Sequence, residues 1–470
     1  MFLNSFNFLL TFPCVFVLYW ILASKGNITV RNVYLLAISL CFYVMFNPFF
    51  LVVLGYVTAI TYAGGLFLGN MSRRRTPGWL SLFIVLALFP LLTFKYYNFF
   101  VSNLEALVPI KFPRYSYFVP MGISFFTFQA VGYVVDVYKN AVPAEHSLLQ
   151  YSLFVCYFPQ IVSGPISKAS ELLPQLQGTR AFSYLRTRSG LRLFLWGAFL
   201  KTVLADRLCM IVDIAFNDQQ FMHISSLNCL LASIAYSLQI YCDFAGYTYM
   251  AIGASKLLGF DLPDNFRQPY FADSITDFWR RWHISLSRWL RDYIYIPLGG
   301  NRCSMLRSHW NILVTFLASG LWHGANWTFV VWGGYYGIAQ ILEKQFGWHK
   351  AKSHGFWRKI ARMAIVFSLV NLAWIFFRMD TLVNAFRFIG RIVLCRGRFD
   401  FNLTGGKENT TVLVLALTIL LFKDLKNEYH LQCLHWLDRP FVRWTAYLVL
   451  TMMILTLGKL DSSLFIYANF

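Results

Sequence analysis

The sequence predicts an all-helical polytopic membrane protein, and three observations carry that prediction. Hydrophobic residues make up 57% of the 470 positions and charged residues 13%, with a mean hydropathy of +0.52. Apolar runs close to the ~20 residues that span a ~30 Å hydrocarbon layer recur from one end of the chain to the other. The 41 Lys and Arg residues, against 21 Asp and Glu, give a net charge of +20 and fall largely between those runs, as a cytosolic-side charge bias requires. No basic stripe stands clear of the apolar segments, so anionic lipid is the expected partner and nucleic acid is not.

The elements follow in order. Residues 3–23 form the first apolar run; Ala23-Ser24 resembles a cleavage site, but the opening MFLNSFN carries no positive side chain, so a retained span is expected. Runs at 33–47 and 49–69 flank an uncharged loop at Asn47-Pro48, whereas Lys25, Arg31 and Arg73-Arg74-Arg75 lie beyond their other ends. That asymmetry places the N-terminus outside. Runs at 79–101, 115–135 and 147–163 come next, with Phe158-Pro159-Gln160 and Gly164-Pro165 as a helix break that shapes a cavity. Spans at 190–215 and 226–253 precede two short runs, 309–322 and 327–343, which read as broken or re-entrant helices covered by protein. Runs at 359–377, 410–422 and 444–468 close the series, but the loops 350–362, 378–407 and 423–443 are all basic and leave the side of the C-terminus open. The expectation is about 11 crossings plus partial helices, in one membrane domain over residues 1–470. The nine cysteines show neither C-x-x-C nor zinc spacing and read as small hydrophobes.

The chemistry concentrates between Asp277 and Gly334. Placed on one helix, 277–293 gathers Trp279, Trp282, Leu286, Trp289, Leu290 and Tyr293 in a stripe, with Arg280, Arg281, Arg288 and Arg291 nearly opposite. His283 falls at the edge of the aromatic stripe, and His323 sits between two apolar runs. An imidazole titrating near neutrality can take a proton from an alcohol and return it to a leaving group. The alternative for His323 is a neutral buried histidine that glues helices together; for His283 it is an ordinary surface residue. Asp243, an acid among apolar residues, needs a cation or water. It would pair with one of the arginines or line a reaction chamber. A zinc site from His283, His309 and His323 lacks acidic or cysteine ligands at recognisable spacing, so no metal is expected.

The string FWRRWHISLSRWLRDYIYIPLGGNR, residues 278–302, followed by GLWHGANWTFVVWGGYYG, 320–337, resembles the membrane-bound O-acyltransferase superfamily. The likeness is strongest to its bacterial branch that O-acetylates polysaccharides such as alginate. PMGISFFTFQAVGYVVDVYK (120–139), FPQIVSGPISKASELLPQ (158–175) and YCDFAGYTYMAIGASKLLGFDLPDNFRQPY (241–270) agree with it, so the resemblance covers most of 115–345. It implies a ring of helices around a central funnel, with His323 of the WHG motif as catalytic base and His283 as a second catalytic position. Arg280, Arg281 and Arg291, with Asp243, Trp282 and Asn326, become the expected substrate contacts.

The resemblance further implies an O-acetyltransferase of the bacterial inner membrane with no bound cofactor. Its donor would be a cytosolic thioester, acetyl-CoA. The acceptor would be an extracytoplasmic polysaccharide or a partner transferase. Two rivals are weighed: D-alanyl transfer to teichoic acid from a carrier protein, and a proton-coupled transporter using His283, His323 and Asp243 as a relay. The chain shows no repeat of spans of the kind that transporters often carry.

Overall fold

The computed structural model describes residues 2–71, 77–115, 118–217, 221–348, 355–394, 406–430 and 439–459. Among them every regular element is a helix. Six helices are long and apolar enough to cross a membrane: Phe6–Ser24, Phe50–Asn70, Pro77–Glu105, Ser226–Leu257, Phe356–Arg378 and Pro440–Leu457. Two shorter apolar helices, Ile28–Val44 and Ile123–Tyr138, accompany them. The run at 147–163 is a nine-residue helix, Leu148–Cys156, that gives way to turns at the break around Pro159.

The chain divides into two compact units. The first takes Met1–Phe194 with Thr248–Pro263, the second Leu195–Tyr247 with Asp264–Ile466. In the first, Ile123–Tyr138 is buried on every side, and its Gln129 donates to the Phe154 carbonyl at 2.7 Å, which removes the penalty of an amide in that setting. Arg31 is only 2% exposed. Its guanidinium donates to the carbonyls of Leu176 and Gly178 at 2.6 and 2.7 Å, at the C-terminal end of helix Ala169–Gln177. Arg180 donates to the Gln175 carbonyl at 2.6 Å beside it. Two cations thus satisfy the orphan carbonyls and complement the helix dipole. Arg31 serves this cap and does not act as a free loop charge, so the orientation argument at the first loop rests on Lys25. Arg73-Arg74-Arg75 lie outside the described residues.

The second unit holds the region singled out by sequence. Helices Met305–His323 and Trp327–Gln345 pack as a tight hairpin. Each contributes a glycine where the backbones meet: a Cβ on Gly320 would run into the Phe329 carbonyl, and one on Gly333 into that of Phe316. The first of these helices begins at Met305, four residues before the apolar run, because the Ser304 hydroxyl caps it at the Arg307 N–H. It is nineteen residues long, about 28 Å, and is not one of the six helices long and apolar enough to cross a membrane. Hydropathy locates the oily part of a helix; the cap sets where it starts.

Candidate active site

A single helix over 277–293 does not form. The segment is broken into helix Ile275–Arg281, helix Ile284–Leu290 and a π-helical turn Arg291–Tyr295. The Ser274 hydroxyl caps the first piece at the Asp277 N–H. The carboxylate of Glu343 takes the N–H groups of Ile275 and Thr276 at 2.9 and 2.8 Å. The break falls at His283, whose φ of +43° and ψ of +53° are left-handed, a conformation that costs a residue with a Cβ about 1–2 kcal/mol. A neighbouring loop segment holds it there. The Arg267 N–H donates to the Arg281 carbonyl and the Ile284 N–H to the Asn265 carbonyl, both at 3.0 Å. The Asn265 side-chain oxygen accepts from the Ser285 N–H at 3.1 Å and its hydroxyl at 2.9 Å. The left-handed turn redirects His283 from where a continuous helix would carry it.

His323 is the last residue of its helix, and the extended Gly324 follows. The two imidazole rings lie 6.4 Å apart, centroid to centroid, and are 0% and 1% exposed. Aromatic rings wall them in. Phe244 meets His283 edge-on at 4.6 Å, while Trp322, Trp332 and Phe377 surround His323 at 4.8, 4.9 and 5.1 Å. Trp282 is buried, stacked on Phe278 and 5.0 Å from Trp374. His309 lies fourteen residues down the helix that ends in His323, about 21 Å along its axis, so the two cannot share one ion.

The arginines divide. Arg281 is gripped by Asp277 at 2.8 Å and Glu428 at 2.5 Å. Arg280 is exposed, and Arg291 pairs with its neighbour Asp292 at 2.7 Å while staying 59% exposed. Both line a cavity of about 420 Å³ whose wall includes Trp279, Thr315 and Ser319. Ser319 stands one turn before His323 on the same helix. Asp243 is paired with Lys201 at 2.6 Å, not with an arginine. Lys201 also meets Asp206 at 2.8 Å, and all three side chains are buried. Asn326 caps helix Trp327–Gln345 through its oxygen and donates to the Asp380 carbonyl at 2.7 Å.

The profile of the membrane-bound O-acyltransferase family matches residues 79–380. The chain belongs to this family. It is 36% identical to the probable alginate O-acetylase AlgI of Pseudomonas aeruginosa, over 85% of this chain and 77% of that protein. With the peptidoglycan O-acetyltransferase of Helicobacter pylori it shares 33% identity over 97% and 95% of the two chains. The teichoic acid D-alanyltransferase of Bacillus subtilis is 28% identical, over 55% of this chain and 68% of that protein.

A membrane-bound O-acyltransferase must bring an acyl carbonyl and a hydroxyl together away from water. Two buried imidazoles this close can together hold a group and move a proton, and the surrounding rings keep competing water out. Sequence reasoning named both histidines but missed Asn265, which holds the turn at His283, Glu343, which caps helix Ile275–Arg281, and Lys201, the partner of Asp243. Asn265 and Lys201 stand in this sequence as an ordinary loop residue and a lone basic residue. Glu343 had one local signal, an acid near the end of an apolar helix.

Proposed function

We propose that this multi-pass membrane enzyme transfers an acetyl group from a cytosolic thioester, acetyl-CoA, to an acceptor beyond the bacterial inner membrane. The end result is O-acetylation of a cell-surface polysaccharide, either directly or through a partner transferase. The observation that carries the reading is the pair of buried imidazoles 6.4 Å apart. The names of the relatives with broad coverage favour acetyl over D-alanyl, since the D-alanyltransferase aligns with 55% of the chain and the O-acetyltransferases with 85–97%.

In this reading His323 takes the proton of the acceptor hydroxyl as its oxygen attacks the thioester carbonyl. The C–O bond forms, the C–S bond breaks, and the thiolate leaves with the proton that His323 returns. His283 orients the acceptor or polarises the carbonyl. Arg280 and Arg291 receive the donor. Arg281 is better suited to bracing helix Ile275–Arg281, because two carboxylates already hold it. Asp243, Trp282 and Asn326 likewise support the chamber from behind, each engaged by a neighbouring residue. The whole chain, residues 1–470, works as one catalytic domain.

The test uses the full-length chain in proteoliposomes with radiolabelled acetyl-CoA outside and polysaccharide, with or without the candidate partner, inside. Label appearing on polymer or partner is expected. Label released only as free solute, or consumption of a D-alanyl carrier thioester in its place, overturns the reading.

A further inference from the structure

We propose that the groove along the start of helix Met305–His323 seats one anionic phospholipid, with Arg307 on its headgroup and the apolar wall around an acyl chain. The groove, of about 730 Å³, has Leu306, Trp310, Leu313 and Ile341 in its lining together with Arg307 and His309. Its wall contains no aspartate or glutamate. It is separate from the cavity beside Trp279, since the two share no lining residue.

Both halves of such a ligand find uncovered partners here. Leu306 is 80% exposed and Trp310 62%, although both belong to an apolar groove, and uncovered apolar side chains gathered in one patch mark an interaction site. The charges are uncovered as well. Among the described residues neither the Arg307 guanidinium nor the His309 imidazole has a hydrogen-bond or ion-pair partner; only the Arg307 backbone N–H is engaged, by the Ser304 hydroxyl. A cation with no counter-charge in the wall beside it is complementary to an anion.

The order of residues along the helix selects the anion. Arg302, Arg307 and His309 stand at its start, and 310–322 holds no charged residue. Cations and a tryptophan at one level with apolar side chains beyond them is the order that a membrane surface imposes, and the cytosolic leaflet supplies the negative headgroups. From Leu306 to Leu313 the groove follows the helix for about 10 Å, which gives an acyl chain a continuous apolar wall. An acidic soluble protein would give Arg307 a partner but leave that wall bare. The same helix ends at His323, so a bound lipid holds the start of the element that carries this imidazole.

The site stands apart from the acyl-transfer reading, and its test reads no turnover. Purified full-length protein in neutral detergent is titrated with phosphatidylglycerol, phosphatidylcholine or inorganic phosphate while the Tm is followed. Phosphatidylglycerol is expected to raise the Tm at concentrations where the other two do not. Arg307→Gln should weaken the apparent Kd for phosphatidylglycerol about tenfold, the size of one charge-assisted hydrogen bond, and Arg307→Lys should keep most of the affinity. Arg387→Gln, at an exposed arginine on helix Leu382–Val393, should change nothing. No protection, equal protection by phosphatidylcholine or by inorganic phosphate, or equal losses in Arg307→Gln and Arg387→Gln would each overturn the site. A photoreactive phosphatidylglycerol gives a second readout that needs no variant: crosslinks on the wild-type chain are expected within residues 298–317, and crosslinks confined to other segments would defeat the proposal.

Discussion

His323 sits 1% exposed against Trp332 and Phe377 at 4.9 and 5.1 Å, and both its chemistry and its tests follow from that enclosure. Replacing it by Ala is expected to lower acyl transfer by about 100-fold or more while the protein still inserts and folds; transfer at the wild-type rate in purified H323A protein would remove it as the base. At His283 an Asn keeps one hydrogen-bonding group in the chamber, so His283→Asn should lose less rate than His283→Ala. Equal losses would count against an orienting role. Lys201 calls for a thermal measurement. Its removal leaves Asp206 and Asp243 buried without their cation, a change that costs about 3–5 kcal/mol. Lys201→Met should therefore lower the Tm in detergent sharply, and an unchanged Tm would mean the triad is dispensable. His323 was legible in the sequence because a polar ring amid apolar runs is costly without a purpose, whereas His283 was singled out by the motif resemblance. The partner of Asp243 was not legible: it lies forty-two residues away, and a pairing across that separation leaves no local trace.

At the level of elements, the helix read over 277–293 shows where periodicity stops being informative. Its aromatic and basic residues repeat at helical spacing, and Trp282-His283 contains neither glycine nor proline to announce a break. The break is imposed from outside, by hydrogen bonds that Asn265 accepts from Ile284 and Ser285 and one that Arg267 donates to the Arg281 carbonyl. Asn265 is accordingly a positioning residue for His283. Asn265→Ala should lower kcat with little change in donor or acceptor KM, and Asn265→Asp, which keeps the acceptor oxygen, should recover part of it. Parallel loss of KM and stability in both variants would reduce Asn265 to a general structural role. The helix of His323 was legible in its oily portion and misjudged at its start, where the Ser304 cap extends it. Cap chemistry of this kind is visible in a sequence, but an apolar-run search passes over it.

For the molecule as a whole, hydropathy and charge disclosed the class early, and the family resemblance was carried by strings inside the span that the family profile matches. Orientation was the weaker inference, since Arg31 is spent on a helix end. The N-terminus-out arrangement still has a direct test. A cysteine at Lys25 and one at Asn47, each introduced into a cysteine-free background, should react with a membrane-impermeant maleimide from opposite faces; labelling from the same face would refute it. The Lys201 triad bears also on biogenesis. A lysine at the centre of a span resists insertion by about 2.5–3.5 kcal/mol. Asp206 is made beside Lys201, but Asp243 follows forty-two residues later, a delay of several seconds at ~5–20 residues per second. During that interval Lys201 has only the first of these two carboxylates available. The buried triad is complete only once helix Ser226–Leu257, which carries Asp243, packs against the segment that carries Lys201.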